Sequence, residues 1–511
     1  MSDSLGPARP ADAQFGHQAA GATSNAGREV TRAIDVTERQ LTLWLFVLLA
    51  AAFSIVQEGM ITPYDGQTVY EVTRSMVDHG TVAISTEFNT LPGRDGRAYS
   101  RYGLGMSLLA AIPYAAVRAV VGHSGHADQY LEAVVSFLPG LVAAALIVAL
   151  YLLARRLGSR VAAALLVSVG AVVGTFVLPY AKEFLSEPLT ALCIVVAIER
   201  LLAGHSGSSG LALGVGVLVR PQCVLIAPLL LLVAWRRSGF AAARRTGYGL
   251  VPGVAATLAY NMVRFGHPLQ FGYDDVGFTT PFWSGTAGLL FHPTKSLILF
   301  APISLVLASA LWRLWRLHRS AFLLLAGNFA VTFATAAMWF AWHGGWSWGP
   351  RLLIPGLMPA IAAVGPWLDR PSREWTVALL LVAGFVVSLP ALIVSTQSQQ
   401  LEAPPVSQAE LWRGHYMATQ PLRSPWPLRQ AQLVVPTARY SFAHAYDRVN
   451  DGRNYLRYLS LWQLGASRVL GQAGLVASMV LSAVLLLITV GAWRRVVSAA
   501  AAIIELEAAK S

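Results

Sequence analysis

Residues Leu41-Thr42-Leu43-Trp44-Leu45-Phe46-Val47-Leu48-Leu49 open an apolar run reaching to about position 60, and the chain then turns to Pro63-Tyr64-Asp65-Gly66-Gln67-Thr68-Val69-Tyr70-Glu71. A hydrocarbon core takes about 20 helical residues to cross, so the run reads as a membrane span. Asp65 then stands at the membrane boundary, in water yet within reach of a lipid headgroup. An ionisable side chain in that position is a functional candidate.

Working outward, apolar runs recur near 103–121, 131–154, 160–180, 186–203, 209–219, 221–235, 247–263, 287–312, 320–342, 352–368, 375–395 and 471–493. They predict an all-α polytopic membrane protein of about 12–13 transmembrane helices, with interfacial helices in the first outer loop. Only 13% of the 511 residues are charged and 55% are hydrophobic, whereas soluble domains carry about 25% charge. The formal net charge of +12 comes from arginines in short inter-helix loops, at 155–156, 236–237, 244–245, 313–319 and 494–495. That is the positive-inside pattern with attraction to anionic membrane lipids, and it argues against nucleic acid as a partner. Cys193 and Cys223 both fall in apolar runs, so no disulfide framework is implied.

The organisation follows from these runs. Residues 1–40 read as a disordered cytoplasmic tail, 41–370 as a transmembrane catalytic module, 371–495 as C-terminal transmembrane helices with an outer-face loop 396–470, and 496–511 as a cytoplasmic tail. Placing the arginine-rich loops inside puts 61–102, 180–188, the break at Arg220-Pro221, 264–286, 343–351 and 396–470 outside. The segment 103–121 then lies on or re-enters the outer face, or is paired there; its Gly103, Gly105, Pro113 and Arg118 suit an interfacial helix as well as a span. Loop 396–470 carries Trp412, Trp426, Tyr440, Tyr446, Tyr455 and Trp462, and reads either as a cap over the outer face or as a connector.

The candidate residues sit on that outer side. Asp65 is a base for an acceptor hydroxyl or an N-cap of a helix beginning at Gly66. Glu71 faces solvent. Glu183 and Glu187, four apart, would share a helix face; Glu187 either binds acceptor or a divalent cation or caps the helix, and Lys182 either meets phosphate or belongs to the same cap. Arg220 lies inside the apolar stretch 209–235, where a guanidinium needs a partner: a lipid phosphate, or an ion pair with Glu187. Trp342-His343-Gly344-Gly345-Trp346-Ser347-Trp348-Gly349-Pro350-Arg351 is either an interfacial aromatic anchor or a contact for sugar and phosphate through His343, Trp346 and Arg351. His292 and Lys295 are further phosphate candidates. Tyr273, Asp274 and Asp275 read as loop caps. No Walker A loop, Gly-x-Ser-x-Gly elbow, His-Glu-x-x-His or Cys-x-x-Cys is present.

Asp65 with Tyr70, then Met76 and Gly80, an arginine-rich turn and Tyr102-Gly103-Leu104-Gly105, resembles the start of the GT-C superfamily of integral-membrane glycosyltransferases. Downstream, Tyr180 to Pro188, Leu218-Val219-Arg220-Pro221, Arg264 to Pro268, His292 to Ser296 and the Trp342–Arg351 turn extend the likeness over 40–370. Gly66 stands where many members carry a second acid, and the Tyr-Pro-Pro turn is here Tyr102-Gly103-Leu104. The resemblance, which is to the protein O-mannosyltransferase and aminoarabinose transferase side of the superfamily, implies a hexosyl- or pentosyltransferase. It would move a sugar from a polyprenyl-phosphate donor to a hydroxyl of a cell-envelope glycan, lipid or protein. Asp65 is then catalytic, with Lys182, Glu187, Arg220, His292, Lys295, His343, Trp346, Arg351, Arg101 and Tyr102 binding substrate. No residue is assigned as a metal ligand and no cofactor is required, although a divalent cation could take part. The location implied is a bacterial inner membrane with the site facing the periplasm. The competing reading is a flippase or transporter of lipid-linked sugars using the same cations without bond breaking.

Overall fold

A computed structural model describes residues 12–85, 89–123, 127–273, 276–401, 426–444 and 458–510. Six of its helical segments are long and apolar enough to cross a membrane: Arg28–Ile55, Ala127–Arg156, Pro221–Phe265, Arg319–Met338, Pro371–Ile393 and Trp462–Ala509. The shorter apolar helices Gly105–Val121, Val161–Val173, Ser206–Val219 and Arg351–Ile361 lie among them. The chain is an all-α polytopic membrane protein.

The helices run α1 (Asp12–Ile55), α2 (Tyr64–His79), α3 (Gly105–Val121), α4 (Ala127–Ser136), α5 (Leu138–Arg156), α6 (Val161–Val173), α7 (Glu187–Leu202), α8 (Ser206–Val219) and α9 (Ala227–Phe265). They continue as α10 (Phe282–Phe291), α11 (Leu297–Phe300), α12 (Leu307–Leu317), α13 (Arg319–Met338), α14 (Ile354–Ile361), α15 (Val364–Trp367), α16 (Pro371–Ile393), α17 (Trp426–Ala443) and α18 (Trp462–Lys510). Short strands β1 (Ala83–Ile84), β2 (Thr90–Pro92) and β3 (Ala98–Ser100) form an antiparallel sheet in the order β1-β3-β2 within the first loop. That sheet was not anticipated from the sequence.

Helices α5, α7 and α14 form the centre, where Leu146, Ile147, Leu150, Ile194, Val195, Ile198, Leu357, Met358 and Ile361 are all buried. Helices α16 and α18 lie outside and leave Leu379, Val382, Val386, Val480 and Leu487 exposed. A soluble protein does not present so much contiguous apolar surface; lipid tails accommodate it. Breaks in the helices have local causes. Pro221 disfavours helical backbone at the residue before it, and Arg220 is extended at φ −143°, ψ 111°, which ends α8. Helix α9 is interrupted at Gly239 (φ 78°, ψ 179°), a conformation that L side chains rarely adopt. Its halves fold back there, since a Cβ on Gly247 would touch Leu231 at 3.9 Å.

Arginines of the inter-helix turns pair with one another's neighbours at one end of the bundle. Arg155 bridges Glu38 at 2.7 Å and Glu507 at 2.6 Å, Arg156 meets Glu199 at 3.2 Å, and Arg313 meets Asp369 at 3.2 Å. Two expectations are corrected here. The stretch 1–40 is helical from Asp12 rather than disordered, because α1 simply continues toward the N-terminus and Glu38 is held by Arg155. Helix α2 begins at Tyr64 rather than Gly66, with extended Pro63 as its N-cap, and no side chain caps it. Asp65 is therefore not an N-cap. The helix ends at Gly80, which adopts the left-handed region.

Candidate functional site

The first turn of α2 projects Asp65 into a cluster built from four separate segments. Its Oδ2 accepts from Arg351 Nη2 at 2.7 Å, and its Oδ1 accepts from Asn89 Nδ2 at 3.1 Å. The Tyr102 side chain lies near the same carboxylate. Arg351 Nε lies 3.6 Å from Glu187 Oε1, which accepts from Arg220 Nη2 at 2.6 Å. Arg220 Nε donates to Ser186 Oγ at 2.9 Å. The result is a continuous chain of alternating charge, Asp65–Arg351–Glu187–Arg220.

Backbone contacts set this register. A Cβ on Gly66 would come 2.5 Å from the Phe184 carbonyl oxygen, so the start of α2 lies directly on the turn that leads into α7 and Glu187. A Cβ on Gly103 would come 2.4 Å from the Val219 carbonyl and 2.6 Å from that of Leu218. The Tyr102-Gly103 turn is thereby seated on the last residues of α8, just before Arg220. Side chains at either position would push these segments apart.

The electrostatics follow from burial and proximity. Burial pushes the Asp65 carboxyl up, but Arg351, the Tyr102 hydroxyl and Arg220 outweigh it and hold its pKa below the usual carboxylate range. Burial, followed by the Asp65 charge, drives the Tyr102 phenol well above its ordinary value. Tyr273 is raised by burial as well, and feels Arg220, Asp65, Arg101 and Arg264, which places it at the same cluster. Glu187 Oε2 and Arg351 Nε are buried without a hydrogen-bond partner. Orphaned polar atoms of that kind accept a ligand or water at little cost.

The aromatic turn lies behind Arg351. Lys295 is buried, donates to the carbonyls of Gly345 (2.8 Å) and Ser347, and sits 4.4 Å from the ring centroid of Trp426. Burial, then the Arg351 charge, pulls its pKa well below the ordinary lysine value. His343 Nδ1 accepts from the Gly345 amide at 3.0 Å, while its Nε2 is buried without a partner. Burial, reinforced by Lys295, Arg351 and His292, lowers the His343 pKa to about 3, so the ring is neutral at physiological pH. Trp346 stacks on Trp426 of α17 with centroids 6.1 Å apart and planes 8° from parallel. Gln397 Nε2 also donates to the Trp346 carbonyl at 3.0 Å. Gln397 and Trp426, from the described parts of 396–470, thus pack against the turn. Trp412, Tyr446 and Tyr455, like Asp274 and Asp275, lie outside the described residues.

Several residues sit elsewhere than the sequence pattern suggested. Lys182 is buried in a separate cluster, 3.3 Å from Glu58 Oε1 and donating to the Leu392 carbonyl at 2.8 Å, so it does not join Arg220 and Arg351. Glu183 precedes α7 instead of sharing a face with Glu187, and accepts from Thr396 Oγ1. His292 is turned to Thr294 Oγ1 at 2.8 Å. Arg101 contributes its amide to the Asn89 carbonyl at 3.1 Å and lies beside Tyr273. Among the described residues no three His, Cys, Asp or Glu side chains gather as a metal site, and Glu187, the candidate cation ligand, is held by Arg220. Sequence reading missed Asn89, which holds Asp65 from a positive φ of 55°, a conformation that Asn tolerates better than most residues. It also missed Glu58, which sits at the end of the first apolar run without any pattern to mark it.

No family model and no curated protein matches the chain. Among solved structures, it is similar to ArnT from Cupriavidus metallidurans in the apo state, at TM-score 0.46 and 15% identity over 93% of this chain and 76% of that one. The same protein bound to undecaprenyl phosphate matches at TM-score 0.43 and 15% identity, over 91% and 77%. The archaeal oligosaccharyltransferase AglB from Archaeoglobus fulgidus, in complex with an inhibitory peptide and a dolichol-phosphate, matches at TM-score 0.45 and 14% identity. The chain spans 59% of that protein's length, and 80% of this chain is covered.

Proposed function

We propose that this chain is a GT-C-type glycosyltransferase that moves a sugar from a polyprenyl-phosphate donor to a hydroxyl acceptor at the outer face of the membrane. The observation that carries the reading is the convergence of one carboxylate, Asp65, with two guanidiniums, Arg351 and Arg220, at the end of the bundle away from the arginine-rich turns. By the positive-inside rule those turns are cytoplasmic, so the site faces outward, the periplasm in a bacterial inner membrane.

In the proposed reaction the acceptor oxygen attacks the anomeric carbon on the face opposite the phosphate. The new C–O bond forms as the sugar–phosphate bond breaks, which inverts the anomeric centre. The acceptor proton passes to Asp65, and the polyprenyl phosphate leaves with its charge held by Arg220 and Arg351. Planar guanidiniums suit phosphate oxygens. Most of the acceleration comes from positioning and from cations placed where charge develops. Arg351 has a dual part: in the resting site it suppresses the basicity of Asp65, and turning toward donor phosphate it releases that carboxylate. The sugar is a hexose or a pentose; the acceptor is a glycan, lipid or protein of the cell envelope.

The test is to incubate the purified protein with a panel of polyprenyl-phosphate sugars and hydroxyl acceptors, with Asp65→Asn in parallel. Transfer by the wild type that is lost in the variant supports the reading. Donor crossing a vesicle bilayer intact, with no transfer, replaces it with the flippase.

A further inference from the structure

Helix α18 begins at the end of the bundle opposite the Arg155–Glu507 pair, and Gly471 (φ 63°, ψ −146°) breaks its first residues, 462–470, from the long part that packs along α1. These first residues are seated on the loop after α1. The Trp462 amide donates to the Gln57 carbonyl at 2.9 Å, and a Cβ on Gly59 would come 2.7 Å from Trp462 Cβ. The Ser460 amide donates to the Ile393 carbonyl at 3.0 Å, which brings in the end of α16. Between the three segments lies a cavity of about 30 Å³, whose polar lining includes Glu58, Thr62, Ser395, Ser460 and Arg468. It shares no residue with the Asp65–Arg351–Glu187–Arg220 chain.

Arg468 is the unexplained member of this lining. It is 8% exposed, its Nε is buried without a hydrogen-bond partner, and it forms no ion pair among the described residues. Its guanidinium carbon lies 3.7 Å from the Tyr458 ring centroid. Stacking of that kind covers a face of the planar group and leaves the in-plane N–H donors for an acceptor. Glu58, the carboxylate in the same cavity, is engaged elsewhere: its Oε2 accepts from Thr62 Oγ1 at 2.7 Å, and its Oε1 lies 3.3 Å from Lys182 Nζ. A buried cation without a partner is expensive, so the site calls for an anion. A space of this size holds about two water-sized groups, which suits the oxygens of a phosphate and not a sugar ring. Leu470, Val476, Met479 and Val480, which follow Arg468 along α18, are exposed and apolar, a surface on which lipid tails can lie.

We propose that this cavity is a phosphate-binding site separate from the one proposed for the donor, in which the Arg468 guanidinium takes the phosphate oxygens. The phosphate is carried by a membrane phospholipid whose tails lie on α18, or is free in solution. The proposal does not depend on sugar transfer.

The test uses the full chain in neutral detergent and compares wild type with Arg468→Gln and Arg468→Lys. The probes are phosphatidylglycerol, inorganic phosphate, and diacylglycerol, which has the tails without the phosphate. Thermal unfolding is followed as each is titrated, and bound lipid is counted by native mass spectrometry. Phosphatidylglycerol should raise the wild-type midpoint where diacylglycerol does not, and Arg468→Gln should weaken its Kd about tenfold, the loss of one hydrogen bond to a charged group. Arg468→Lys keeps the charge without the planar fork, so it should fall between, and it carries the test if Arg468→Gln does not fold. Inorganic phosphate that stabilises the wild type as much as the lipid does, but not the variants, assigns the site to free phosphate. Wild type that responds to neither phosphate form, or Arg468 variants that bind both as tightly as wild type, overturns the proposal and leaves Arg468 a packing residue.

Discussion

Arg351 Nη2 lies 2.7 Å from Asp65 Oδ2 although 286 positions separate the two residues in the chain. The contact joins the first outer loop to the aromatic turn, and Arg351 reaches on toward Glu187 at 3.6 Å. Asp65 is thus held ionised but restrained. A carboxylate that strongly paired is a poor base until its partner is drawn elsewhere. In the proposed reaction the donor phosphate competes for the guanidinium.

Asp65→Asn keeps the shape of the side chain and its contact with Asn89, but removes the charge. Transfer should fall by at least about 100-fold, the low end for a general base. The protein should remain monodisperse in detergent, because the Arg220–Glu187 pair is untouched. Residual transfer within tenfold of wild type would remove Asp65 from the mechanism.

Glu187 is fully buried while Arg220 retains some exposure, 0% against 14% for their side chains. Arg220→Gln leaves that carboxylate with only the 3.6 Å contact to Arg351. Breaking such a pair from one side costs about 3 kcal/mol, and removing both partners costs less. Thermal unfolding in detergent should therefore rank Arg220→Gln below Arg220→Gln/Glu187→Gln. The opposite ranking would mean that the pair is not what stabilises this corner.

Much of this site was legible as boundaries but not as partners. Asp65, Arg220 and Arg351 stand out in the sequence because each interrupts or borders an apolar run. Which of them meet is decided by Gly66 and Gly103, whose missing side chains allow backbone to touch backbone across long sequence separations. No periodicity encodes that. The three-stranded sheet escaped notice because strands of two or three residues are too short to show alternation. Lys182 looked like Arg220 on paper, a cation at a turn, yet its partner Glu58 sits 124 positions before it, at the end of α1's apolar run. Trp426 was one aromatic among many until α17 stacked it on Trp346.

The buried cluster of Glu58, Lys182, Glu183 and Thr396 gives a pH dependence of the opposite sense from that of Asp65. Burial, then the Glu58 charge, pushes the Glu183 carboxyl up to about 7, against the pull of Thr396, Lys182 and Arg351. In the unfolded chain it titrates near about 4.3. Between those values the folded state holds a proton that the unfolded state has released, so stability falls as pH rises from about 4 to about 7 and levels off above. Asp65, with its lowered pKa, adds stability that is lost only as pH falls through the acid range. Melting temperatures across pH 4–8 should therefore decline in the wild type and decline less steeply in Glu183→Gln; equal slopes in the two proteins would assign the titration to another group.

Gly103 offers a test of geometry alone, because alanine adds no charge and removes no hydrogen bond. Its Cβ would sit 2.4 Å from the Val219 carbonyl and 2.6 Å from that of Leu218, both backbone atoms that cannot rotate away. The Tyr102 turn must then lift off α8, which moves Tyr102 away from Arg220. Overpacking of this kind costs about 1–3 kcal/mol of stability, and a displacement of about 1 Å at a reacting centre can cost about 100-fold in rate. Gly103→Ala should therefore lose about 100-fold in activity while it still folds. Gly491→Ala, where the new methyl would meet nothing within 4 Å, should lose neither activity nor stability. Transfer assays beside thermal unfolding separate the two quantities. If Gly103→Ala keeps wild-type kcat, the seat of the Tyr102 turn on α8 does not set the geometry of the reacting groups.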